Sequence, residues 1–255
     1  SSVDIETRYG APRYRASSAD GPLGDRYLLD GQQLVPVAST PADNGMCSSG
    51  IDKKQFLLRK EGRFARIAKC IDGPGVSEFH WEVTEKDGTR FIYGATEDAR
   101  VMDASTANAA CTGMAGRKTA RWLLDEVRDP DGNVTDYVYG AVDAKPSTSP
   151  SCCAASSQVS AACSALAPAA PWTARYLSHI RYTSRTALNW AYEVKFFYLA
   201  RPGTPQVNAK FGFKVLTNMQ LESVHVCLGA CASNTIIREY SLAYTTPGAS
   251  NLYKN

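Results

Sequence analysis

Three histidines, eight cysteines and a crowd of acids are the residues of this 255-residue chain whose types could do chemistry. His80 sits between Phe79 and Trp81, and His225 between Val224 and Val226. In an extended chain alternate side chains point to opposite faces. These histidines, with His179, therefore read as solvent-facing sheet positions rather than catalytic or metal-binding ones. The cysteines are Cys47, Cys70, Cys111, Cys152, Cys153, Cys163, Cys227 and Cys231. Their number is even and no C-x2-C pair stands near a histidine, which favours disulfides formed in an oxidising compartment over zinc. Cys227 and Cys231 flank Leu-Gly-Ala and are expected to close a hairpin turn, while Cys111, Cys152, Cys153 and Cys163 would staple the polar middle of the chain.

The acids Asp125, Glu126, Asp129, Asp131 and Asp136 gather around an Asp-Gly pair. Asp129, Asp131 and Asn133 have the spacing of part of a calcium loop, but the downstream glutamate is missing and a hairpin fits better. No Gly-x-Ser-x-Gly elbow occurs, the CSSG that begins at Cys47 has no identifiable histidine partner, and the glycines of DGPG and TGMAG lack a phosphate-loop context. The reading assigns no catalytic residue, no metal and no cofactor, and the chain is not expected to be an enzyme.

The sequence offers two surface chemistries as well. The run from Lys53 to Lys69 holds seven Lys or Arg against Asp52 and Glu61, and reads as a solvated sheet face that discourages edge-to-edge pairing. Trp81, Trp122, Trp172 and Trp190 are candidates for stacking on sugars, although core or cross-strand packing is the simpler role. The Asn-Val-Thr at Asn133 fits a glycosylation sequon, meaningful only in a eukaryotic secretory host. A net charge of +3 is too weak to argue for nucleic acid. No apolar run approaches the roughly 18 to 20 residues that span a bilayer. The polar start is read as a processing boundary and says nothing about export.

The elements that would position these residues are strands. Phe79, Trp81 and Val83 alternate with His80, Glu82 and Thr84, and Gly62 separates two extended runs. Asp30-Gly31, Asp87-Gly88 and Asp131-Gly132 are turn signals, because glycine accepts the positive φ that a two-residue hairpin demands. Further strands are expected in YEVKFFY, where Tyr192, Val194 and Phe196 share a face, and in IIREYSLAY, where Ile236, Arg238, Tyr240 and Leu242 do. No window carries a 3.6-residue apolar period. The expected fold is all-β, of mostly antiparallel hairpins forming an extended or wound, shell-like or barrel-like sheet. It is read as a single domain over residues 1–255, with a low-complexity insertion over 143–171 that is rich in Ala, Ser, Pro and Cys. DGTRFIYG and DGNVTDYVYG share an Asp-Gly turn, an extended return and a closing Tyr-Gly, a degenerate internal repeat with Asp87, Gly88, Asp131, Gly132 and Asn133 at its turns.

That repeat resembles the YD (Rhs) unit. The ordered pieces TRYGAPRY, RYLLDGQQLVPV, EGRFARI, WEVTEKDGTRFIYG, WLLDEVRDPDGNVTDYVYG, YLSHIRYTS, YEVKFFYLARP and IIREYSLAYTT are similar to the N-terminal region of the family named for the Salmonella virulence plasmid SpvB protein, a region shared by the B components of insecticidal toxin complexes. The resemblance runs from about residue 8 to 246 and implies a structural role: strands wound into a shell that encloses a toxic polypeptide, or the scaffold leading to it. The cysteines and the insertion depart from the family pattern. The chain is also much shorter than such proteins usually are, and it is read as a fragment or processed domain of a secreted or cell-surface protein. Its expected partner is the remainder of a larger polypeptide or a second copy of itself. The alternative is an extracellular module that binds carbohydrate or a cell-surface partner.

Overall fold

A computed structural model describes residues 1–14, 25–37, 47–48, 52–71, 79–102, 119–140, 174–184, 190–232 and 234–244. The insertion at 143–171, Cys111, Cys152, Cys153, Cys163 and Trp172 lie outside the described residues. The regular elements among the described residues are sixteen strands, all paired antiparallel, so the all-β expectation holds.

Eight strands close a ring. β1 (Ser2–Ile5), β2 (Tyr27–Leu29), β3 (Gln32–Pro36), β4 (Asp52–Leu58), β5 (Arg66–Ile71), β6 (Phe79–Thr84), β7 (Arg90–Tyr93) and β9 (Thr119–Arg128) pair in that order. β1 then returns to β9 through Ser2↔Leu123, Val3↔Trp122 and Asp4↔Arg121. The inward parity supplies Val3, Tyr27, Leu29, Phe56, Ile67, Trp81, Val83, Tyr93 and Trp122, all at most 5% exposed. Closure removes the sheet edges and buries this face from every side.

The barrel is filled by rings meeting edge to face. Tyr27 and Trp81 have centroids 4.9 Å apart and Phe56 and Trp81 5.0 Å, while Phe79 stacks on Trp122 at 4.8 Å. Trp122 Nε1 donates to the Phe79 carbonyl at 3.0 Å, which satisfies the polar end of a buried indole. Lys69 shares the inward parity and is 2% exposed, its Nζ 3.9 Å from the Phe79 ring centroid. The basic run is therefore not uniformly a solvated face: its last member turns into the aromatic interior, where ring faces attract the cation.

The repeat turns have a common geometry, and it corrects one expectation. Leu29 pairs with Gln32 around Asp30 (φ 48°) and Gly31 (φ 84°), a two-residue turn. Asp87-Gly88 and Asp131-Gly132 instead sit in three-residue loops. Glu85 N donates to Thr89 O at 2.9 Å and Gly88 N to Glu85 O at 3.1 Å. In the second copy Asp129 N donates to Asn133 O at 3.0 Å and Gly132 N to Asp129 O at 3.1 Å. This is a turn followed by a left-handed glycine (φ 89° and 83°), the G1-bulge form of hairpin. Because β7 pairs with β9, the two turns meet, and Gly88 lies against Pro130.

β9 is the junction. β8 (Arg100–Met102) flanks its first half, and β10 (Val134–Gly140) its second. Pairings Ile92↔Glu126 and Tyr93↔Leu124 skip Asp125, so a bulge shifts the inward parity from Leu124 to Val127. Beyond β10 the sheet continues as β11 (Tyr176–Ser184), β12 (Tyr192–Ala200), β15 (Met219–Leu228) and β16 (Ile236–Ser241). A small ribbon, β13 (Gln206–Asn208) with β14 (Val215–Thr217), interrupts the β12–β15 hairpin. Its Phe211 and Phe213 pack back onto Val101 and Ala120 at the barrel.

Candidate functional site

Among the described residues, the part left open is the sheet beyond the barrel. Tyr137 packs against the barrel core, so the inner face of the ring runs on into one face of β10–β16. Across the register that face carries Tyr137, Ile180, Val194 and Val226, the row ending in Arg238 on β16, with Phe196, Val224 and Tyr240 in the next row. The shared parity of Tyr192, Val194 and Phe196 is thus part of a continuous apolar surface. Within it Tyr182 stacks on Tyr192 at 5.3 Å.

The opposite face is polar. The row Glu126–Asp136–Arg181–Glu193–Cys227 crosses five strands. Arg181 Nε donates to Glu193 Oε2 at 3.0 Å, and the Cys231 amide donates to Oε1 at 3.2 Å. Burial pushes the Asp136 carboxyl above its usual range despite the Arg181 charge. Cys227 and Cys231 form a disulfide that closes the turn before β16.

Among the described residues β16 pairs only with β15. Leu242 N donates to Glu222 O at 2.9 Å, so by strand alternation Tyr240 and Arg238 also turn their backbone groups to β15. Glu239 and Ser241 present theirs to the open edge. Ile237, Tyr240, Leu242 and Tyr244 are 40% to 60% exposed along it.

The structure places the other sequence candidates elsewhere. Trp81 and Trp122 are 0% and 1% exposed, so neither can stack on a sugar; closure of the ring makes them core. Trp190 is half-buried. Both Asp129 carboxylate oxygens accept from Asn133, from N at 2.8 Å and Nδ2 at 2.7 Å, and these bonds hold its carboxyl below the usual range. Of the oxygens that suggested a calcium loop, the Asp129 pair is therefore taken up by the turn.

His179 and His225 are partly exposed, 3.8 Å from Glu193 and 3.5 Å from Glu239. Burial lowers the His179 pKa. His80 is a correction: it is 2% exposed, not solvent-facing. The outward face of β5 and β6 there is covered by the segment at Cys47 and Ser48. Cys47 forms a disulfide with Cys70, the cross-strand neighbour of His80. Ser48 donates to Glu82 Oε1 from N at 2.8 Å and from Oγ at 2.6 Å, and His80 Nε2 lies 3.2 Å from the same oxygen. Burial would raise the Glu82 pKa, but the hydrogen bonds from His80 and Ser48 outweigh it and hold the carboxyl below its ordinary value. Sequence parity separates the two faces of a strand and is silent on what lies over each.

The family model described as Salmonella virulence plasmid 65kDa B protein, SpvB, matches residues 1–217. The chain belongs to the SpvB family. No curated protein sequence matches it. Among solved structures it is similar to the N-terminal domain of effector protein SpvB from Salmonella typhimurium strain LT2, at 19% identity and a TM-score of 0.63, over 96% of this chain and 87% of that one. It is also similar to a chain of the TcdB2-TccC3-Cdc42 structure, at 18% identity and a TM-score of 0.67. A chain of the Photorhabdus luminescens Tc holotoxin pore gives 18% and 0.64. Each likeness covers 95% of this chain and 12% of the toxin chain. At such identities the likeness establishes the fold. None of the described residues forms a helix long and apolar enough to cross a membrane, which says nothing of a β-barrel.

Proposed function

We propose that this chain is a non-enzymatic shell segment of a secreted toxin-related protein, its two Asp-Gly hairpins being YD-type units, and that its open sheet is continued by the rest of a larger polypeptide. The observation that carries the reading is the passage from a closed barrel into a sheet whose last strand, among the described residues, keeps a free edge and exposed apolar side chains. An edge of unpaired backbone groups is a template for another strand. The inner barrel face and the apolar face of β10–β16 are one surface, suited to lie against neighbouring sheet or enclosed cargo. The barrel anchors that surface, with residues 1–255 forming a single unit. The similar toxin-complex chains, of which this chain spans 12%, support a place within a longer sheet.

The test is sedimentation velocity of the full chain over a range of concentrations. Pairing through the β16 edge produces concentration-dependent self-association. Ser241→Pro, which removes an outward amide, and Ile237→Lys, which charges the edge, each suppress it while the circular dichroism stays β-rich. A chain that remains monomeric at the highest concentration, or associates equally in both variants, counts against the reading.

A further inference from the structure

The cluster under the Cys47 segment holds a donor set that spacing in the sequence does not reveal. Cys70 and His80 face each other across β5 and β6, and Glu82 follows two residues on along the same face. One ligand atom from each of the three lies within 4.8 Å of the others. All three residues are at most 2% exposed. In the oxidised chain the Cys70 sulfur is bonded to Cys47, and the group is an ordinary disulfide beside a histidine–carboxylate pair.

Reduction changes the donors. We propose that, once the Cys47–Cys70 disulfide is reduced, Cys47, Cys70, His80 and Glu82 bind one zinc ion. A thiol or phosphine reductant breaks the S–S bond, and two electrons with two protons give two thiols as the reductant is oxidised. Zinc then displaces one proton from each thiol into solvent and takes two thiolates, a neutral imidazole nitrogen and a carboxylate oxygen. Two thiolates and one carboxylate around a divalent ion leave a single negative charge. Arg90 offsets it, with Nη1 3.5 Å from Glu82 Oε2, an oxygen that accepts no hydrogen bond among the described residues.

The geometry is close to what such an ion needs. Tetrahedral zinc bonds of about 2.0–2.1 Å to nitrogen and oxygen put those ligands about 3.3 Å apart. His80 Nε2 and Glu82 Oε1 already stand 3.2 Å apart. The Cα atoms of Cys47 and Cys70 are 6.0 Å apart, within reach of two thiolates on one ion. Glu82 Oε1 also accepts from Ser48 N and Oγ, so one of these bonds gives way when that oxygen takes zinc and the other orients the carboxylate as an outer shell does. The cluster would thus pin the Cys47 segment to the barrel in both redox states, by a covalent bond outside a reducing compartment and by a metal within one. This inference is independent of the shell reading.

The experiment is a site-resolved footprint on the full chain. The chain is reduced with a phosphine, given equimolar zinc or none, and alkylated with iodoacetamide for a time that fully modifies the metal-free protein. Peptide masses then report each cysteine separately. Zinc is expected to slow modification of Cys47 and Cys70 together by at least about tenfold, since a metal-held thiolate is withdrawn from reaction. His80→Gln raises the zinc needed for half-protection by at least about tenfold, the lower bound for losing even an outer partner of a ligand. Glu82→Gln supplies the same arm should His80→Gln not fold. Equal modification of Cys47 and Cys70 with and without zinc overturns the proposal, as does protection unaltered in both variants.

Discussion

Gly94 lies so close against Trp122 that a Cβ on it would stand 2.5 Å from the indole Cδ1 and 3.0 Å from Cβ and Cγ. Its φ of +66° is in the left-handed region. Its amide donates to Leu123 O at 2.8 Å and its carbonyl accepts from Arg100 Nε at 2.6 Å, so the backbone is held from both sides. Gly94→Ala is expected to cost about 3 kcal/mol in urea denaturation, summing a left-handed penalty of about 1–2 kcal/mol and overpacking of about 1–3 kcal/mol. Gly132→Ala, with φ +83° and nothing within 4 Å of a new Cβ, should lose only about 1 kcal/mol. Equal losses would show that the indole moves aside.

Tyr93 ends the first repeat with its ring in the barrel and its hydroxyl 3.0 Å from Ser1 Oγ. Burial pushes its pKa up to about 12 from 10.0. The folded value is raised, so the phenol ionises first in the unfolded chain. Stability is complete below pH 10 and falls as the pH rises through the window from 10 to 12. At pH 11 the loss from this group is about 1.4 kcal/mol. Tyr93→Phe should be less stable than wild type at pH 8, by about 1 kcal/mol for the missing hydrogen bond. The difference should close or reverse by pH 11. Parallel urea midpoints for the two proteins across that range would count against this reading of the site.

What was legible in the sequence was local. Alternation placed Phe79, Trp81 and Val83 on one face, and the Asp-Gly pairs marked real hairpins. What was not legible is set by pairings remote in sequence. The ring closes through Asp4 against Arg121, with Arg121 Nε donating to Asp4 Oδ1 at 2.8 Å, and no local pattern carries that contact. Trp81 and Trp122 were ambiguous until closure buried them. The same limit hid the cluster at His80, because its lid comes from the Cys47 loop and its ligands from two strands. The bulge at Asp125 leaves only an unexplained run of two acids in the sequence. In the fold Asp125 accepts from Thr96 N at 2.6 Å and Oγ1 at 3.0 Å.

The two described disulfides should differ in worth. Cys47–Cys70 spans 23 positions and Cys227–Cys231 spans 4. The loop-entropy relation gives about 3 kcal/mol for the longer closure and about 2 kcal/mol for the shorter. Paired replacement by alanine, Cys47→Ala with Cys70→Ala against Cys227→Ala with Cys231→Ala, should therefore destabilise more in the first case. Both removals bury the loss of a sulfur at a 0% exposed position, so that contribution cancels in the comparison. Equal losses in thermal denaturation would mean that the unfolded chain already holds residues 47 and 70 near each other.

Stability should also fall along the sheet from barrel to edge, and amide exchange can read the gradient one residue at a time. Ile67 and Val83 are 0% exposed in a ring with no edge, so their amides should open only with global unfolding. On β16 the pattern should alternate. Arg238, Tyr240 and Leu242 turn their amides to β15 and gain moderate protection, whereas Glu239 and Ser241 face outward and exchange at rates close to an unfolded chain. If the sheet continues in a larger polypeptide, the same two amides become protected when the chain is measured within that polypeptide, while the inward three change little. Protection of Glu239 and Ser241 already present in the dilute isolated chain would mean that another segment of this chain covers the edge. The free-edge argument for assembly would then fail.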